Sequence, residues 1–307
     1  MKRSWVAAFC NTMTKLVFFG TEDFSAPSLE ALIKAGYDIA AVVTKPDSIR
    51  GRGHQVDSPT VAKIAAQHGI TVLQPQKLAD ISDQLLSLSA AAGVLVSYGK
   101  IIPESIIQLF PNGIINLHPS LLPKYRGPSP IEAAILNGDP KTGLTLMALA
   151  KAMDAGPIYC QETVSLSGTE TKPELYESLS RQGAELMIEK LPGILDGRIK
   201  PVPQDDTLAT YCQLIDRQAD GYITPATMPA SECERRVRAY LGWPKTRLDY
   251  LGTEVIVTKA QVLDSYQGDN WPDIIQCQDE TYLQIVEIIA PSGKQIKTAD
   301  YLRGLKI

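Results

Sequence analysis

Leu16-Val17-Phe18-Phe19-Gly20 is a short, wholly apolar run closed by glycine, the pattern of a buried strand. Ser25-Ala26-Pro27 follows and opens a helix, since proline is tolerated in a first turn whose N–H groups lack intrahelical partners. Leu29, Leu32 and Ile33 give that helix one apolar face, and Gly36 is a natural stop. Ile39 to Thr44 is the next strand. Strand, helix and strand within about 30 residues make a βαβ unit, with a parallel pair and a right-handed crossover.

The alternation continues outward from this unit. Ser58-Pro59 caps a helix that runs through His68 to Gly69, and Ile70 to Leu73 is a strand. A helix near 80–89 leads to a strand over Gly93 to Ser97, then to another at Ile114 to Leu117. Pro130 to Asn137 reads as a helix, Gly143 to Leu149 as a strand, and Ile158 to Val164 as its hairpin partner. Thr171 with Glu174 forms a capping box opening a long helix to Leu191. The fold class is α/β, a Rossmann-like, mostly parallel sheet. The expected domain spans 14–205.

Past Gly197 the texture changes. Pro201, Pro203, Asp205 and Asp206 make a linker. A helix capped by Ser231, with Glu234 three residues on, runs to Tyr240. Short β-type runs follow at Arg247 to Leu251, Glu254 to Leu263, Ile274 to Gln276 and Tyr282 to Ile289. Short strands at this spacing predict a small, OB-like β-barrel over 206–307.

Composition limits the function. Lys plus Arg is 30 and Asp plus Glu 34, a net charge of −4 over 307 residues, which excludes a uniformly basic nucleic-acid binder but not a local basic patch. Two such patches exist: residues 45–55 carry three basic groups against one acidic, and residues 232–247 five against two. The five cysteines are odd in number and show no CxxC spacing, so neither a disulfide scaffold nor a zinc site is expected, and a reducing cytoplasm fits. No apolar stretch reaches the ~18–20 residues of a membrane helix. Residues 1–13 read as an N-terminal extension or upstream start, with Met13 the natural beginning.

The densest chemical signal is Asn116-Leu117-His118-Pro119-Ser120-Leu121-Leu122-Pro123. Asn116 and His118 are two apart at a strand end, so period-2 geometry puts both on one side. An amide and an imidazole there can offer an oxyanion donor and a proton acceptor. Asp154, in Met153-Asp154-Ala155-Gly156-Pro157, would raise the basicity of His118 if the two meet. A strand-end amide, a satisfied structural histidine and a plain turn former remain the alternative readings of the three.

Those same runs resemble the folate-dependent formyltransferases: Asn116 to Pro123 resembles their N-x-H-x-S-L-L-P signature and Thr142 to Gly156 their T-G-[VL]-T-[ILV]-M…D-x-G-P segment. The resemblance covers residues 14–304. It implies Asn116, His118 and Asp154 as the catalytic set, with Ser120, Leu121, Leu122, Pro123, Tyr98 and Gly99 lining the folate pocket. Phe18-Phe19-Gly20-Thr21-Glu22-Asp23-Phe24, the basic loop Thr44 to Gly53 and the Arg126-Gly127-x-x-Pro130-Ile131 element are similar to the branch that acts on methionyl initiator tRNA. That implies 10-formyltetrahydrofolate as co-substrate, no metal, and Lys45, Arg50, Arg52 and Arg126 against the tRNA. Arg235, Arg236, Arg238, Lys245 and Arg247 form a second basic candidate. The expected protein is a monomer.

The sequence departs from this branch at His118-Pro119, at Lys151-Ala152-Met153 and across Gln213 to Thr224. The rival enzyme is a sugar-nucleotide N-formyltransferase, against which the Arg50-Gly51-Arg52-Gly53 loop speaks. A nucleotide-binding regulatory module is the rival of another class, and the absence of G-x-G-x-x-G after the first strand speaks against it.

Overall fold

The computed structural model describes residues 14–50, 55–268 and 272–305. The expected extension at 1–13, together with Arg52 and His54, lies outside them.

The first part of the chain builds a seven-stranded sheet in the order β5-β2-β1-β6-β7-β8-β9. Its elements are β1 Lys15–Gly20, α1 Ala26–Lys34, β2 Asp38–Val43, β3 Ser48–Arg50, β4 Gln55–Asp57, α2 Thr60–Gln67, β5 Thr71–Leu73, α3 Ser82–Ser87, β6 Ala92–Val96, α4 Glu104–Ile107, β7 Ile114–His118, α5 Pro130–Leu136, β8 Lys141–Ala148, β9 Ile158–Ser165 and α6 Lys172–Leu195. Strands β5, β2, β1, β6 and β7 pair in parallel, and β8 joins β7 antiparallel. This is the expected Rossmann-like architecture.

Leu16, Val17, Phe18 and Phe19 are all fully buried. Val17 and Phe19 join Val43, Tyr98, Phe110 and Ile114 in one apolar cluster, and the alternate residues face the other side. Burial on both faces is what a central parallel strand requires, and each such side chain contributes about 1.5–3 kcal/mol.

Two details of this sheet were not legible. The basic loop after β2 is a hairpin: β3 and β4 pair antiparallel, with Ser48 opposite Asp57 and Arg50 opposite Gln55. Half of the capping box of α6 is there: Glu174 accepts from Thr171 N at 2.9 Å, while the Thr171 hydroxyl donates to the same carboxylate at 2.7 Å; the helix runs on past Pro192 to Leu195.

The second part holds α7 Ala230–Ala239, β10 Thr246–Tyr250, β11 Thr253–Leu263, β12 Ile274–Gln276, β13 Tyr282–Ile289, β14 Gln295–Lys297 and α8 Thr298–Gly304. The strands form an antiparallel half-barrel, β10-β11-β13-β12, with β14 also on β13. Its core joins Cys233 and Val237 of α7 to Leu248, Val257, Leu283 and Ile288. Ser231 is not the cap of α7. Pro229 takes that position, and the Asp279 carboxylate accepts from Ala230 N at 3.4 Å.

By contact the chain separates into two compact units: residues up to Arg126 with Gly143–Thr163 and Glu177–Tyr211, and Gly127–Thr142 with Val164–Tyr176 and Cys212–Ile307. Among the described residues no helix is long and apolar enough to cross a membrane, and no three metal-ligating side chains cluster.

Candidate active site

The strand order reverses between β1 and β6, where an open α/β sheet forms a crevice at the carboxyl ends of its strands. At β1 that crevice is closed by backbone: Thr21 N and Glu22 N donate to Ser97 O at 3.1 and 3.2 Å, and Thr21 Oγ1 donates to Tyr98 O at 2.9 Å. N–H groups so engaged cannot cradle a phosphate.

One strand over, β7 ends in Asn116-Leu117-His118. Leu117 packs toward Gly183 of α6, where any added Cβ would meet its Cδ2 at 2.5 Å. Asn116 and His118 face the opposite side, each only 5% exposed. Among the described residues the Asn116 amide has no side-chain hydrogen bond, so its NH2 is available to an acceptor.

His118 is held from an unforeseen direction. Its Nε2 lies 2.9 Å from Tyr125 O. A carbonyl only accepts, so Nε2 carries the proton and Nδ1 is the basic atom. Nδ1 lies 3.7 Å from Asp154 Oδ2, with the two side chains 7% and 16% exposed. That exceeds a hydrogen bond, so the carboxylate faces the ring across a short gap. The ring is therefore oriented by the Tyr125 carbonyl.

The loop that brings Tyr125 back is pinned by Thr145 and Gln161. Thr145 Oγ1 donates to Ser120 O at 2.6 Å and accepts from Leu122 N at 3.2 Å. Gln161 Nε2 donates to Leu122 O at 2.8 Å and to Thr145 Oγ1 at 2.9 Å. Asp154 sits on a turn at φ +48°, a left-handed conformation that few non-glycine residues adopt.

Several expected contacts fall elsewhere. Tyr98 is 1% exposed, its ring edge-on to Phe19 at 5.9 Å and its hydroxyl without a hydrogen bond. Burial pushes that phenol up to about 12. Its side chain is core, not pocket wall, because the ring fills the apolar cluster behind the sheet. Ser120 and Leu122 are likewise buried, Ser120 Oγ donating to Lys124 O at 2.6 Å, while Leu121 and Pro123 are half-buried. Gly99, at φ +69°, makes room for the Lys45 ammonium.

Arg126 is the clearest correction. It is 2% exposed, and its guanidinium donates to Gln204 Oε1, Asp206 Oδ1 and the Tyr211 hydroxyl. Burial disfavours its charge, but the bonds to Asp206 and Tyr211 outweigh that and hold its pKa above the ordinary value. A guanidinium so engaged is not presented to RNA. Lys45 is half-buried, 4.0 Å from the Glu22 carboxylate. Arg50 stands on β3, but its side chain and Arg52 are outside the described residues.

The second basic candidate is largely neutralised within its own unit. Arg236 and Arg238 pair with Glu232 and Glu234 at 3.1 and 2.6 Å, Arg247 with Glu254 at 3.4 Å, and Arg235 Nε donates to Leu136 O.

A family model described as formyl transferase matches residues 14–191, and one described as formyl transferase, C-terminal domain, matches 217–306. The chain belongs to the formyl transferase family. It is 39% identical to the methionyl-tRNA formyltransferase of Chloroflexus aurantiacus, over 95% of this chain and 97% of that one. It is 36% identical to that of Halorhodospira halophila over the same shares. Among solved structures it resembles an N-formyltransferase from Helicobacter canadensis, in complex with folinic acid and dTDP-3-aminofucose. The TM-score there is 0.69, at 19% identity, over 89% of this chain and 99% of that chain. That last likeness is one of fold.

Proposed function

We propose that the enzyme transfers the formyl group of 10-formyltetrahydrofolate to the α-amine of methionyl initiator tRNA. The observation that carries this reading is the face of β7. There an unengaged amide and an imidazole with a single basic nitrogen stand side by side, a carboxylate 3.7 Å from that nitrogen.

The amine attacks as the free base, and its nitrogen bonds to the formyl carbon. The Asn116 NH2 donates to the oxyanion that develops. His118 Nδ1 takes the amine proton, and the imidazolium forms beside Asp154, which stabilises it. Collapse breaks the bond from the formyl carbon to N10, and the same proton passes to that nitrogen. No covalent bond to the protein forms.

Leu121, Pro123 and the Gly99 backbone are the groups we assign to the folate. Lys45 and the β3–β4 hairpin, with Arg50 and Arg52, are those we assign to the tRNA. Residues 14–205 are the proposed catalytic domain and 206–307 the tRNA-binding domain of a cytoplasmic monomer. Phosphate contacts of this kind make binding weaken as salt rises.

The test offers methionyl initiator tRNA, an amino-sugar nucleotide and glycinamide ribonucleotide in parallel, with 10-formyltetrahydrofolate as donor. Formylation of the tRNA alone is expected. Turnover of another acceptor with none of the tRNA would overturn the assignment.

A further inference from the structure

Gln204 was not among the expected site residues. Residues 201–208 are exposed except for this one, whose side chain turns inward. Its Nε2 donates to Asp154 O at 2.8 Å and to Gly156 O at 2.7 Å. Its Oε1 accepts from Arg126 Nε at 3.1 Å and Nη2 at 2.8 Å. The amide orientation is unambiguous: guanidinium groups only donate and carbonyls only accept. Both amide protons and both oxygen lone pairs are thus used.

We propose that Gln204 is a positioning residue for formyl transfer: anchored by Arg126, it clamps the turn that presents Asp154 to His118. The proposal rests on the catalytic roles assigned above. Two features make the clamp matter. Asp154 holds an uncommon positive φ, which persists only where surrounding bonds over-determine it. And the Asp154 carboxylate stands 3.7 Å from His118 Nδ1, a separation that any shift of the turn's backbone would change directly.

The clamp also joins the two halves of the site. Arg126 is the neighbour of Tyr125, whose carbonyl holds His118 Nε2. Thr210 fixes that dipeptide as an acceptor: its Oγ1 accepts from Tyr125 N at 2.9 Å and its carbonyl from Arg126 N at 2.9 Å. One amide therefore sets the Asp154 turn against the loop that orients His118. Only a residue with two donors and an acceptor at this reach does that.

The segment 201–210, a strap across this unit, does not depend on Gln204 to stay in place. Ile158 and Val202 exchange backbone hydrogen bonds at 2.8 Å each, and Thr210 N donates to Pro123 O at 3.1 Å. Variants at 204 should therefore fold.

The experiment compares the native chain with Gln204→Ala and Gln204→Glu. The glutamate keeps the shape and the pair with Arg126 but cannot donate to the two carbonyls. Both variants are expected to lose ~10–10² in kcat, with KM for folate and tRNA within about threefold of native. The limb of the pH–kcat profile that reports proton uptake by His118 should shift in both. Amide hydrogen exchange at Asp154, Ala155 and Gly156 should quicken. A kcat within twofold of native in the alanine variant, or its recovery by glutamate, would overturn the clamp. So would a loss of kcat that follows thermal unfolding with the pH profile unmoved. A native chain that formylates no acceptor would instead overturn the functional reading, and that is seen in the control alone.

Discussion

Gly156→Ala is the substitution for which the structure gives the sharpest expectation. A Cβ on Gly156 would sit 1.8 Å from Ala148 O, with Ala148 C at 3.0 Å and Met147 Cε at 3.1 Å. Real Cβ atoms essentially never approach closer than 3.0 Å, so something must retreat by about 1.2 Å. The obstacle is backbone at the end of β8, not a flexible side-chain tip. If the turn gives way, Asp154 moves with it. If β8 gives way, β7 moves, because Ala148 pairs with Ile115 and Met147 with Asn116.

Either retreat spoils the site. Drawing the carboxylate back from 3.7 Å to about 4.9 Å weakens its attraction for the imidazolium by ~1 kcal/mol at an effective dielectric near 20, about sixfold in rate. Misplacing a reacting group by about 1 Å costs up to ~10² in addition. The packing strain itself should cost about 1–3 kcal/mol of stability. The assay is the initial rate of tRNA formylation at saturating folate, beside a thermal melt to show that the variant is folded. A folded variant with kcat within threefold of native would refute the argument that this turn fixes the catalytic geometry.

His118→Ala and Asp154→Asn are each expected to lose ~10²–10⁴ in turnover, and Asn116→Ala ~10²–10³, with melting points near native. Asparagine tolerates the positive φ at 154, so near-normal turnover in that variant would discredit the carboxylate's role. The Glu174 carboxyl is held below the usual carboxylate range, first by the Thr171 N–H and then by its hydroxyl. Its contribution is therefore present above the ordinary carboxylate pKa and lost as pH falls through the lowered one. The melting-point gap between native and Glu174→Ala should be seen at neutral pH and close in acid; a gap unchanged in acid would contradict this. Burial pushes the Cys233 thiol up to about 12. Peptide mapping after mild alkylation should find it unlabelled until the chain is unfolded.

How far the sequence could be read depended on whether the signal was local. The strand β1 was legible because four consecutive apolar residues leave no polar face, and β7 because Asn116 and His118 share a period-2 face. The β3–β4 hairpin was not, since a glycine-rich basic segment reads equally as a loop. Asn116, His118 and Asp154 stood out as a motif, but not the tautomer of His118, which depends on a carbonyl seven residues on. Arg126 and Tyr98 were misjudged for one reason. Burial is decided by partners far along the chain, in the case of Arg126 by Gln204, 78 residues away. A lone glutamine in a proline-rich stretch carries no pattern of its own, so Gln204 could be found only from its bonds.

The path of residues 196–211 also governs where the protein can be cut. The first family match stops at residue 191, which invites a catalytic fragment ending there. Such a fragment would lose Val202, whose N–H and carbonyl pair with Ile158, and Thr210, whose carbonyl accepts from Arg126 N. It would retain the amide, imidazole and carboxylate yet give up the strand-like edge that holds their loops in register. Proteases should find the native strap resistant at Val202 and Thr210 despite its proline-rich, polar composition. The smallest piece expected to keep an organised site ends after Tyr211.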